Sequence, residues 1–187
     1  MTTKPKKTKA VHLGSPQFWG LCVVVYLMLS FPFIRLPVFF LTTWAHELGH
    51  GLGAILTGGR FLELTVFPNF SGVALTETSS DFSRASVVIV GLLGPSLLGV
   101  IMIGLTRGFG FYRFAMGVLA LVLAISLIWA ADLFTFACLS GAAVLTGLCG
   151  WKLPERILIY VAYILAIALC LSSLMGFSYF FMGNATI

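Results

Sequence analysis

Residues 41–60 read LTTWAHELGHGLGAILTGGR, and residues 60–78 continue as RFLELTVFPNFSGVALTET. The first stretch keeps a helical, apolar pattern yet holds two histidines and a glutamate. The second is rich in β-branched and aromatic residues about a turn signal, PNFSG. Around them lies a chain hostile to charge, with 59% hydrophobic and 9% charged residues and a mean hydropathy of +1.06. That composition excludes a soluble domain and predicts an integral membrane protein. Ionisable groups inside such a segment are costly enough to demand a function.

Working outward, the pattern predicts an all-α polytopic membrane protein of about six transmembrane helices, with five as the alternative if residues 139–156 form a loop. A small β-hairpin is inserted after the second helix. The expected spans cover residues 17–33, 37–57 and 85–105, two short spans within 114–150, and 157–182. Pro37 suits a helix start, and Gly58-Gly59 its end. Pro95, within GLLGPSLLG, is expected to bend the third span, whose small residues permit close packing. In the hairpin, residues 60–78, strict alternation would put Leu62, Leu64 and Val66 on one face and Phe61, Glu63, Thr65 and Phe67 on the other.

Two parts organise the chain: a basic tail, residues 1–16, and a single integral membrane domain, residues 17–187. Lys4, Lys6, Lys7 and Lys9 contribute to a net charge of +5, which reads as a cytoplasmic anchor and not a nucleic-acid patch. With six spans both ends are cytoplasmic. The first span lacks a clear cleavage site and is expected to stay in the mature protein. Cys22, Cys138, Cys149 and Cys170 show no CxxC spacing and read as buried thiols. His12 lies in the polar tail, and the NAT triplet at Asn184 has meaning only in a eukaryotic lumen.

HELGH, residues 46–50, is an HExxH pattern. On a helix it puts His46 and His50 on one face, where two imidazoles form half of a tetrahedral Zn2+ site, and Glu47 can serve a water as general base. The blander account has two helix histidines satisfied by neighbouring hydroxyls or carbonyls. A catalytic zinc takes three protein ligands. Among the other acids, Asp132 alone is embedded in apolar sequence, IWAADLFTF, where an aspartate costs roughly 2.5–3.5 kcal/mol on insertion scales. Asp132 is the expected third metal ligand and Glu63 the next candidate. Alternatively, Asp132 sits at a turn between two short spans and caps the next helix.

HELGHGLGAILTGGRFLELTVFPNFSGVALT, followed by GLLGPSLLG and Asp132, resembles the site-2-protease-like family of intramembrane zinc metalloproteases, in its compact peptidase M50B-like branch. The resemblance covers roughly residues 40–135. It implies that His46 and His50 bind zinc, that Glu47 activates water, that Asp132 completes the coordination, and that the hairpin offers a strand edge to an unwound substrate helix. Two positions depart from the pattern: Leu133 and Phe134 follow the aspartate where a glycine is usual, and Ser96 and leucines replace an asparagine near the GP pair.

The expected function is therefore zinc-dependent intramembrane endopeptidase, hydrolysing a peptide bond in or near a transmembrane segment of a membrane-protein substrate. The setting is the lipid bilayer, a bacterial inner membrane by size, with no nucleic-acid partner. The rival is a non-catalytic membrane scaffold of the same fold that binds client helices. A metal transporter would need polar ligands spread along a path, whereas here they cluster at one level of one helix.

Overall fold

A computed structural model describes residues 14–109 and 111–182. The basic tail up to residue 13, His12 and Asn184 lie outside the described residues. The described chain is mostly helical: α1 (Ser15–Leu29), α2 (Pro32–Leu56), β1 (Arg60–Val66), β2 (Gly72–Glu77), α3 (Asp81–Phe109), α4 (Tyr112–Ser126), a single 3-10 turn (Leu127–Trp129), α5 (Leu133–Lys152) and α6 (Glu155–Met182).

Four described stretches are long and apolar enough to cross a membrane: Asp81–Arg107, Tyr112–Trp129, Leu133–Lys152 and Glu155–Ser173. α1 is apolar but short. α2 is 25 residues long, and the polar groups of its motif lower its hydropathy. Outward-facing side chains such as Val88, Val100, Leu121, Leu145 and Trp151 are exposed, as expected where lipid replaces water as the neighbour.

α2 begins five residues earlier than its sequence predicts. Pro32, not Pro37, occupies the first turn, where a missing N–H costs nothing, and Pro37 lies inside the helix. The far end follows expectation closely. Gly58 has φ +80°, its N–H donates to Ile55 O (3.2 Å), and Gly59 N–H reaches back to Ala54 O (2.8 Å). This is a Schellman stop, which glycine reaches without strain. It turns the chain directly into β1.

β1 and β2 pair antiparallel, from Arg60 opposite Glu77 to Val66 opposite Gly72, with the register broken between Phe61 and Glu63. Leu62 is the extra residue of a β-bulge. The bulge corrects the expected alternation: Phe61 turns inward with Leu64 and Val66, while Glu63 stays exposed. Phe61 then stacks on Trp129 with centroids 4.8 Å apart and lies over Gly51 of α2, where a Cβ would collide with its ring.

The outer edge of β1 is also occupied. Leu64 forms a parallel bridge with Ala130, and Ala131 N–H donates to Leu64 O at 3.0 Å. Further along, Thr135 Oγ1 accepts from Val66 N–H at 2.9 Å. Residues 130 and 131 thus add a short third-strand segment to β1, which Thr135 extends with its side chain from the first turn of α5, and among the described residues no strand covers the free edge of β2.

The main core joins α2, β1, α4, α5 and α6 around Trp44, Leu64, Met116, Leu119, Leu123, Leu139 and Leu158. A second cluster packs Val25 and Leu29 of α1 on Ile159, Tyr163 and Ile167 of α6. Trp44 pins α2 just ahead of the motif: fully buried, its Nε1–H donates to Ser126 Oγ at 3.0 Å, and Ser126 donates onward to Val122 O at 2.8 Å. At the opposite end of the α4–α5 pair, Arg113 donates to the carbonyls of Gly150, Trp151 and Leu153, at 2.6, 3.0 and 3.0 Å. Those are carbonyls the end of α5 would otherwise leave unpaired.

Candidate metal centre

α2 packs most extensively against α3, and glycines make the approach possible. A Cβ on Gly49 would come 2.6 Å from Val90 O, and one on Gly94 would come 2.6 Å from Ala45 O. At this separation the backbone of one helix reaches side chains of the other. The motif sits at that seam.

His46 and His50, one turn apart, turn their rings toward each other at an interplanar angle of 87° with centroids 4.5 Å apart. Their Nε2 atoms lie 3.0 Å from one another. His50 Nδ1 lies 3.0 Å from Val87 O. A carbonyl oxygen can only accept, so Nδ1 carries the proton and Nε2 of the neutral ring carries the lone pair. The His50 ring is thus backed by a backbone acceptor of α3, and the two Nε2 atoms converge.

With the His50 Nε2 lone pair free to accept, a proton on His46 Nε2 makes this 3.0 Å contact a hydrogen bond, and a metal ion held by both nitrogens would take the place of that proton. Metal–nitrogen bonds of about 2.0–2.1 Å at a tetrahedral angle put two ring nitrogens about 3.3 Å apart. The observed 3.0 Å needs only a small opening to meet it. The carbonyl behind His50 is the kind of outer partner that orients metal-ligating imidazoles. The pair therefore fits zinc as two of its ligands, while in the metal-free site the same convergence is an imidazole–imidazole hydrogen bond.

Glu47, next along α2, is 7% exposed and lies under the second strand. A Cβ on Gly72 would stand 2.7 Å from its Cγ and 2.8 Å from its Oε1, and the backbone of Ala74 supplies it a hydrogen bond. Thr43, one turn earlier, donates to Phe70 O at 2.8 Å, tying the hairpin loop to the same face. The hairpin is thus fastened across the motif, with a backbone strand over the carboxylate.

Asp132 is the N-cap of α5. Its Oδ1 accepts from Thr135 N–H at 2.9 Å and its Oδ2 from the Thr135 hydroxyl at 2.7 Å. Those two bonds, the hydroxyl's first, hold its carboxyl below the usual carboxylate range. This is the helix-capping alternative raised by the sequence. Among the described residues no three His, Cys, Asp or Glu side chains gather as a metal-holding group. The structure brings His46 and His50 together with Glu47 alongside and leaves Asp132 at the cap. Glu63 is exposed on β1.

Sequence reasoning did not anticipate Thr135 or the Val87 carbonyl of α3. Thr135 had a signal, since a hydroxyl three residues after an aspartate suits a capping turn. Carbonyls leave none, because every residue has one.

These features define an apolar helical membrane protein with an HExxH helix, crossed by a β-hairpin and backed by a glycine-lined neighbour. The family model described as Peptidase M50B-like matches residues 19–186. The chain belongs to that family, which makes it a membrane protein of the peptidase class. Among curated proteins and among solved structures, nothing matches.

Proposed function

We propose that this protein is a zinc-dependent intramembrane endopeptidase that hydrolyses a peptide bond in or near a transmembrane segment of another membrane protein. All six helices would lie in a bacterial inner membrane, α1 and α2 included. The observation that carries the reading is the convergence of His46 and His50 Nε2 at 3.0 Å, beside a buried Glu47.

His46 and His50 would hold the zinc. Bound there, zinc supplies Lewis acidity toward a scissile carbonyl and lowers the pKa of water. Glu47 takes a proton from the attacking water and returns it to the departing amine. The Ala74 amide and the Gly72 backbone keep the carboxylate aimed. The free edge of β2 offers N–H and C=O groups to a substrate strand, which a helix must have before its peptide bonds can be exposed in lipid.

Asp132 is the acid we assign to the third position. Reaching it requires the carboxylate to leave Thr135. What supports this is that the Thr135 hydroxyl has a second acceptor, Val66 O at 3.3 Å, so the departure leaves only the Thr135 N–H without its partner. A second reading, a scaffold that binds client helices without cutting them, is favoured by Asp132 standing as a cap with no three-residue metal group around it.

Metal analysis of detergent-purified protein decides between them, beside His46→Ala, His50→Ala, Asp132→Ala and Glu47→Gln. The proposal expects one zinc per chain, lost with either histidine, weakened in Asp132→Ala and kept in Glu47→Gln. It also expects a reporter with a helix-destabilised transmembrane segment to be cleaved by wild type and not by Glu47→Gln. Protein that holds no stoichiometric zinc while folded supports the scaffold.

A further inference from the structure

The two ends of the helical bundle differ in charge. α2 and α3 run antiparallel, with Gly49 against Val90 and Gly94 against Ala45, so the last turn of α3 lies beside the first turn of α2. α3 and α6 are antiparallel as well, since Gly99 meets Ala166 and Ser173 donates to Leu92 O. That sets the start of α6 at the same end. Arg113, in the first turn of α4, donates to the carbonyls of Gly150, Trp151 and Leu153, which brings the end of α5 there too.

This end carries Arg35, Arg107, Arg113, Lys152 and Arg156, and among the described residues Glu155 is its single acid. Trp151 stands 76% exposed there, the place an interfacial tryptophan takes. The hairpin end has the opposite balance. Its Arg60 and Arg84 are paired with Glu77 and Asp81, and Glu63 and Asp132 add further negative charge.

α1 enters from the basic end. The Arg107 guanidinium lies 5.3 Å from the centroid of the Phe18 ring, near the start of α1, and α2 opens at Pro32, directly after Ser30 and Phe31. Beginning and finishing near one end, α1 lies in the membrane without carrying the chain across it.

We propose that the basic end of the bundle is cytoplasmic, so that the hairpin and the metal centre, which occupies the second half of α2, stand toward the extracytoplasmic face. Loops rich in Lys and Arg are the ones retained in the cytoplasm, and the lysines at positions 4, 6, 7 and 9 precede α1 on that side. The chain then crosses through α2 to α6, and α6 finishes at the hairpin face. This deepens the proposed protease and rests on that reading for one consequence only: a substrate is cut in the half of its transmembrane segment nearer the extracytoplasmic face.

Single cysteines report the orientation in chains whose Cys22, Cys138, Cys149 and Cys170 are replaced by alanine. Ser79→Cys lies between β2 and α3 and Pro154→Cys between α5 and α6, both at exposed positions. In spheroplasts a membrane-impermeant maleimide should label Ser79→Cys, and Pro154→Cys only after lysis. Alkaline phosphatase, which needs disulfides formed outside the cytoplasm, should be active when joined after Ile187 of the chain with its own cysteines. Green fluorescent protein joined there should stay dark.

The reverse labelling pattern, equal labelling of both cysteines, or a fluorescent fusion beside an inactive phosphatase overturns the inference. Two cleavage reporters, with helix-destabilising residues in the outer or the inner half of a transmembrane segment, test the consequence. The outer one should be cut by wild type and not by Glu47→Gln, and a cut confined to the inner one refutes the placement of the site. If neither is cut while labelling follows expectation, the orientation stands and the protease reading falls.

Discussion

Thr135 offers the most direct test of how the hairpin is held, through the isosteric change Thr135→Val. The side chain is fully buried and serves two partners at once: its oxygen accepts from Val66 N–H at 2.9 Å, and its proton goes to Asp132 Oδ2 at 2.7 Å. Valine keeps the volume and removes both. The larger loss is Val66 N–H, left buried without an acceptor, at about 1–3 kcal/mol. Asp132 keeps the Thr135 N–H bond at 2.9 Å and is partly solvated, so its lost hydroxyl bond adds less than about 1 kcal/mol. The sum is about 1–4 kcal/mol. Thermal and denaturant unfolding in a fixed detergent measure it, with hydrogen exchange at Val66 as the local readout. Thr135→Ser, which keeps the hydroxyl, should recover most of the loss. A change below about 0.5 kcal/mol with Val66 still protected would show that residues 130–135 do not hold β1, and the account of a third strand would fail.

Other outcomes follow from the same geometry. Gly91→Ala places a methyl group against the His50 ring, so zinc affinity should fall roughly ten- to a hundredfold while the helical circular dichroism persists. Glu47→Gln should keep zinc and lose cleavage by at least about a hundredfold in a transmembrane reporter assay; retained cleavage would remove Glu47 as the base. Asp132→Ala should cost about 1 kcal/mol through the lost cap, a loss that unfolding measures whether or not zinc is bound. Because Thr135 lowers the Asp132 carboxyl below its ordinary value, this cap contributes its full stability above about pH 4. The contribution fades as the pH falls through the lowered value, and the Asp132→Ala difference should shrink over that acid range.

The histidine face, the helix stop and the hairpin were legible because each is written locally. HELGH needs only the helical period, and Gly58-Gly59 is a stop because one residue must take a positive φ. PNFSG marks the hairpin turn. What stayed hidden depends on neighbours distant in sequence. Pro32 and Pro37 both suit a helix start, and nothing local chooses between them. The bulge at Leu62 exists because Phe61 has Gly51 and Trp129 to pack against, contacts that strict alternation cannot anticipate. Asp132 was readable both as a cap and as a ligand, since an aspartate in apolar sequence satisfies either. The Val87 carbonyl behind His50 appears only when α3 is laid on α2.

The occupied side of β1 also limits what the sheet can join. With residues 130–135 seated on one flank, the hairpin can grow in only one direction, by a strand laid on β2. Such a surface is a socket with one opening and not a template for stacking. Two copies of the protein meeting edge to edge through β2 would close each other off, so strand pairing stops at two chains and cannot run on into a fibre within the membrane. A chain already seated on β2 excludes a second by the same logic, so any client strands compete for one place.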